Sequence, residues 1–266
     1  MTSGRVWTRP RFAPSPGRAW LDLVVLTKDK PALDVDLGAD DGYPEGYALP
    51  RTFSIRTAAL AAHPDVYAPY VEGAFRDLAT DQIGDAARAI DDARWAVTIK
   101  GSIPDPPDLG HLQAVRAFER FLARTAGAVA IANDLSLRWQ DAASLAQADP
   151  PEHLRVDEWI EVLYDDEVGG IHTRGMAQFA RPDVALFDQP AHRLERAAQL
   201  LRHVAHLQAS GALYRDGGTI RVQSLDPGAA GARIEVRLDT LDAARCKALA
   251  VAPDTLVVEG WPSGVA

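Results

Sequence analysis

Apolar and polar residues alternate over Arg94–Lys100 (RWAVTIK), which predicts a half-buried strand, because successive side chains of an extended chain point to opposite faces. Ala19–Thr27 (AWLDLVVLT) reads as a second strand and Thr52–Thr57 (TFSIRT) as a third. From Pro64 to Asp92 the spacing becomes helical, with Val66, Tyr70, Val71 and Phe75 at apolar positions and a further helical stretch around Ile83–Ile90. After RWAVTIK, the segment Ser102–Leu109 (SIPDPPDL) is a Pro-stiffened loop. His111–Thr125 predicts a helix with Leu112, Val115, Phe118 and Leu122 on one side and Gln113, Arg116, Arg120 and Arg124 opposite. His111 reads as a boundary or capping residue. Gly127 stops this helix, and Ala128–Ala132 (AVAIA) is a short buried strand.

The second half repeats the theme. Glu158–Asp188 contains a strand at Trp159–Tyr164, an acidic turn closed by Gly169-Gly170, and the polar cluster His172-Thr173-Arg174-Gly175. An apolar turn with Met176 and Phe179, an Arg181-Pro182-Asp183 corner and a strand at Val184–Phe187 follow. His192–Gln208 predicts a helix with Leu194, Ala197, Leu201, Val204 and Ala205 on one face and Arg196, Arg202, His203 and His206 on the other, ended by Gly211. Thr219–Ser224 and Arg233–Leu238 predict a hairpin, and Thr255–Glu259 a last strand. Hairpin connections and one-sided helices predict an α+β fold. Two similar halves are expected, with mixed or antiparallel sheets and helices packed on one face. Residues 1–18, rich in Pro, Arg and Gly, form an arm laid over the body. The division is 1–92 (arm and α+β region) and 93–266 (α+β region), or one continuous domain.

Composition narrows the function classes. Of 266 residues 47% are hydrophobic, enough for a sizeable core, and the net charge of −9 argues against phosphate backbones and anionic lipid as partners. The single cysteine, Cys246, lies in a helical stretch (TLDAARCKALA), cannot pair internally, and reads as a buried structural thiol. With no signal-like or membrane-spanning apolar run, a cytoplasmic location is expected.

Residues 84–100, then Ala128–Trp139 (AVAIANDLSLRW), then HTRGMAQFARPDVAL form a recurring arrangement. It resembles an uncharacterised, myxobacterial-type family of bacterial proteins, in which a strand ending in Asp and a later Trp precede a segment of the form HTxG(L/M)xxFGxPDL. The resemblance covers residues 85–190 and implies architecture, since the family carries no established activity. Ala180 stands where that pattern has Gly. A looser likeness of type and composition is to small acidic immunity proteins encoded beside bacterial toxins.

Two tracts without Lys or Arg suggest an acidic contact surface: Asp34, Asp36, Asp40, Asp41 and Glu45, then Glu161, Asp165, Asp166 and Glu167 with Asp157 and Glu158 before them. Such faces steer basic partners, and the expected partner is a protein, with a basic toxin or effector as its most specific form. No cofactor, metal, nucleic acid or membrane is expected, and the residues weigh against catalysis. The alternative is an enzyme or small-ligand site formed by Asp134, His172, Arg174, Arg181 and Asp183. The structural reading of the same residues pairs Arg174 with Asp183, gives His172 a backbone carbonyl, and makes Asn133-Asp134 a turn. His203 and His206 have metal-ligand spacing but share a face with arginines.

Overall fold

The computed structural model describes residues 5–33, 37, 41–165, 169–223, 233–249, 252–259 and 261. Its elements are β1 (Arg18–Thr27), β2 (Ser54–Ala59), α1 (Pro64–Val71), α2 (Ala74–Ile83), β3 (Trp95–Pro104), α3 (Gly110–Thr125), β4 (Ala128–Asn133), β5 (Arg138–Asp141) and α4 (Ala142–Gln147). There follow β6 (Glu161–Asp165), β7 (Gly170–Arg174), β8 (Val184–Phe187), α5 (Leu194–Ala209), β9 (Gly218–Gln223), β10 (Arg233–Thr240), α6 (Ala243–Ala248) and β11 (Leu256–Glu259). The class is α+β. One sheet, in the order β2-β3-β1-β4-β5, is antiparallel throughout. The other, β6-β7-β8-β11-β10-β9, is mixed, with β8 and β11 parallel. Strands from both sides of residue 92 pair in the first sheet.

Central strand β1 explains how this sheet is covered. Leu21, Leu23 and Val25 face a core that includes Leu112, Val115, Phe118 and Leu122 of α3. Val24 and Leu26 face the opposite way, into a second core with Tyr67, Tyr70, Ala79, Ile90 and Trp139. A strand sandwiched between two cores needs apolar residues at consecutive positions, hence the run LVVL. Ahead of that run the pattern alternates: Arg18 and Trp20 are exposed and Asp22 is half-buried on one face, while Ala19 and Leu21 are buried on the other. The cover on the outer face therefore ends at Asp22. The second sheet packs Ile171, Val184, Leu186, Val236 and Leu238 under α5, and Ala185, Phe187 and Val257 beside Cys246 of α6. Helices thus lie on both faces of each sheet rather than on one, as both faces of these strands are apolar.

The polar side of α3 differs from its expected exposure. Arg116, Glu119 and Arg120 are all buried. The β5–α4 segment and the chain after it fold across that side. Arg120 donates to the Ala148 carbonyl, and Arg116 donates to Gln140 Oε1, sits 4.6 Å over the Trp159 ring and lies 2.9 Å from Glu119. His111, expected at a boundary, is fully buried, 3.2 Å from the Gln178 carbonyl oxygen and stacked on Phe53; burial lowers its pKa to about 4.

A buried ion cluster joins the two halves. Asp105, in the proline loop after β3, lies 2.7 Å from both Arg9 and Arg181, whose side chains are fully covered. Arg9 also donates to the Ala209 and Phe179 carbonyls, and Arg181 to those of Ala13, Gly211 and Ala212. Cations at the carbonyl end of α5 are favourably placed against its dipole. The expected arm is thus fastened into the body, and Arg181, one of the candidate ligand-binding residues, is consumed by that fastening.

Candidate functional site

The acidic tracts divide on inspection. Asp34, Asp36, Asp40, Asp166 and Glu167 lie outside the described residues. Asp41 is buried and paired with Arg124, and Glu161 is half-buried, 2.9 Å from Arg138. Both carboxylates turn inward to arginines of the protein itself, which corrects their assignment to a partner surface. Glu45 is exposed and Asp165 half-buried.

The His172–Asp183 group does not converge either. His172-Thr173-Arg174 is not a loop but strand β7, between β6 and β8. Alternation sends Ile171 and Thr173 to the α5 side and His172 and Arg174 to the other. Asp183 accepts from the Thr173 hydroxyl (3.0 Å) and the Met176 N–H (3.2 Å), and these donors fix the corner. His172 is buried with no hydrogen-bond partner on either ring nitrogen, against the expected carbonyl contact; burial, reinforced by the charge of Arg174, lowers its pKa to about 4.

Burial raises the Asp183 carboxyl to about 7. The folded protein then holds a proton that the unfolded chain releases near pH 4, so this group's stability contribution is complete below that pH and is lost as pH rises through 7. His172 and His111 have the opposite sign, their contribution being lost as pH falls from 6.5 toward 4. Asp183→Asn keeps an acceptor for both donors and isolates the first effect. The variant should match the wild type near pH 4.5 and exceed its stability at pH 8 by about 1–2 kcal/mol. Urea unfolding at the two pH values checks this, and equal differences at both would refute it.

Asp134 is found with other residues. It follows β4 in a turn where Asn133 Oδ1 accepts the N–H groups of Leu135 and Ser136, as the turn reading expects. Its own N–H donates to the Asp22 carbonyl oxygen (3.0 Å), and Tyr70 Oη donates to its Oδ2 at 2.5 Å. Its Oδ1 is closed to solvent and accepts no hydrogen bond. Burial, then the neighbouring Asp22, push its pKa up to about 6, although the Tyr70 hydrogen bond and the charge of Lys100 act the other way. Asp22 pairs in register with Lys100 of β3, whose Nζ is 2.9 Å from Oδ1. Tyr67 Oη is 3.4 Å from Thr98 Oγ1. Two residues before Asp22, on the same strand face, Trp20 is 50% exposed. The Asp134 carboxyl, the Asp22–Lys100 pair and two phenols therefore lie at the end of the first sheet where its cover stops, with the open indole of Trp20 further along the same strand. Such a set can bind a cation by charge and by the indole face, or exchange a proton.

Asp134 was legible in the sequence; its companions were not. The one available signal was Asp22, a lone charge inside the apolar strand AWLDLVVLT. Among the described residues no group of three His, Cys, Asp or Glu could hold a metal, and His206 lies 3.2 Å from Asp157. Cys246 is buried, its thiol pKa raised by burial, as a structural thiol requires. The space lined by Arg116, Glu119, Arg138 and Trp159 is too tight for a water molecule, so it is a packed ion network and not a ligand site. No helix among the described residues is long and apolar enough to cross a membrane. No family model, curated protein or solved structure matches the chain. The fold and the site define it as an α+β protein with an open, carboxylate-bearing sheet face.

Proposed function

We propose that the protein binds a basic protein partner on the open end of the first sheet, with Trp20 and Asp134 as principal contacts. The observation that carries this reading is Trp20, a half-exposed indole on the strand face where the cover of the first sheet ends, with the carboxylates of Asp22 and Asp134 further along that end. A lysine or arginine of the partner would stack on Trp20, drawn there by the carboxylates of Asp22 and Asp134. The net charge of −9 favours encounter with a basic surface, to which Glu45 and Asp165 would add. Neutralisation of a basic toxin is the specific form of this reading, and it rests on the likeness to acidic immunity proteins. A second reading, acid–base catalysis at the same groups, is favoured by the 2.5 Å contact between Tyr70 and Asp134.

The test uses the partner that co-purifies from the native host. Trp20→Ala and Asp134→Asn should each weaken its binding about tenfold or more. Thermal stability should stay near that of the wild type, because Trp20 is exposed and the amide oxygen introduced by Asp134→Asn can still accept from Tyr70. Unchanged affinity in both variants would refute the surface. Loss of turnover of a small molecule in Asp134→Asn, with partner affinity intact, would favour the second reading.

A further inference from the structure

Strand β6 is an edge of the second sheet, and the pairing of its neighbours shows which of its backbone groups face outward. The Asp188 N–H donates to the Gly169 carbonyl, so odd-numbered residues of β7 turn their backbone groups to β8 and even-numbered ones turn theirs to β6. In the β6–β7 register Glu161, Leu163 and Asp165 meet those even positions, which leaves the backbone groups of Val162 and Tyr164 facing away from the sheet. The Val162 N–H agrees: it donates to Oε1 of Glu161 at 3.3 Å, and Oε2 of that carboxylate is held by Arg138. Among the described residues nothing bonds to the Val162 carbonyl or to the outward N–H and C=O of Tyr164. The Tyr164 side chain is 46% exposed beside them.

We propose that this edge takes up an extended, basic segment of a partner protein as a further strand of the second sheet, with Tyr164 as its anchor. Unpaired ladder groups are a template for strand addition. The charges at the two ends of β6 select the occupant. A second copy paired antiparallel over the full strand would set Glu161 of each chain opposite Asp165 of the other, and like charges directly opposite are destabilising. A segment with Lys or Arg at its first and fifth positions would meet carboxylates there instead, and the net charge of −9 favours its approach. Its middle residue would stand opposite Leu163, and its second residue would exchange both ladder bonds with Tyr164. The edge belongs to the other sheet from Trp20 and does not depend on that surface.

The probe is the peptide acetyl-Lys-Val-Val-Thr-Lys-amide, added to the full-length protein, with amide hydrogen exchange followed residue by residue by NMR. In the free protein the Tyr164 amide should exchange faster than those of Leu163 and Asp165, which bond to β7. Saturating peptide should slow the Tyr164 amide about tenfold or more, in the wild type and in Trp20→Ala alike. Methylating the amide nitrogen of the first valine, which would donate to the Tyr164 carbonyl, should abolish the effect. Tyr164→Pro removes the outward N–H without touching the β7 ladder, and its neighbouring amides should not respond to the peptide. Tyr164→Ala keeps the ladder groups and should only weaken binding. A Tyr164 amide already protected in the free protein would overturn the proposal, a rise of that protection with protein concentration marking a second copy on the edge. So would a peptide that leaves Tyr164 exchange unchanged, or that acts equally well when methylated.

Discussion

Asp105→Ala is expected to lower stability by about 3–5 kcal/mol, the effect of stranding buried charge. Arg9 and Arg181 are fully covered and each lies 2.7 Å from this carboxylate. Burial opposes its ionisation, but hydrogen bonds from Arg181, the Ser15 N–H and Arg9 prevail and hold its pKa below the usual carboxylate range. Without Asp105 two guanidiniums would face each other, and burial already lowers the pKa of Arg9, with Arg181 adding to it. The same contacts fasten the arm, the loop after β3 and the end of α5, so the loss should be cooperative. Asp105→Asn keeps an acceptor and should fall between the two. Urea denaturation of the three proteins decides the matter; a loss of under 1 kcal/mol would show the cluster to be wetter or looser than described.

Gly175→Ala should cost about 2–4 kcal/mol, from strain and overlap together. Gly175 has φ +108°, and a Cβ there would sit 2.5 Å from the Trp159 carbonyl oxygen and 2.8 Å from Ser136 Cβ. The first neighbour is backbone, so it cannot turn away. Gly84 supplies a case without overlap: its φ is +57° and ψ −132°, a conformation that glycine favours, with nothing within 4 Å of the added carbon, so Gly84→Ala should lose about 1–2 kcal/mol from backbone strain alone. Equal losses at the two positions would mean that Gly175 matters for its dihedral alone.

These two positions indicate what the sequence made legible. The proline loop, the arm and the turn at Gly175 all stood out from residue types with unusual backbone options. Ala180 has φ +54°, a left-handed dihedral that its residue type does not announce. Val184–Phe187 fell where expected and RWAVTIK extended to Pro104, since apolar periodicity reports burial directly. Strand β7 was missed because His, Thr and Arg carry no strand-like alternation; its pairing to β6 and β8 decides it. The buried side of α3 was missed for a similar reason. Arg116 and Arg120 look like a solvated stripe until the β5–α4 segment covers them, and that covering is a long-range event. For the site, Asp134 could be picked from its place after a strand. Its partners Asp22 and Tyr70 are 112 and 64 residues away (134 − 22 and 134 − 70), and only the sheet order and the seat of α1 join them.

The claim that the open end of the first sheet is the contact surface is tested most directly by fluorescence quenching. Of the six tryptophans, Trp20 is the one more than a third exposed, and Trp7, Trp139, Trp159 and Trp261 are buried. Acrylamide quenching of the free protein should therefore contain a strong component that Trp20→Ala removes. Saturation with the native partner should suppress that same component in the wild type. If the complex forms at full affinity and Trp20 remains as quenchable as in the free protein, the partner binds elsewhere and the account is wrong.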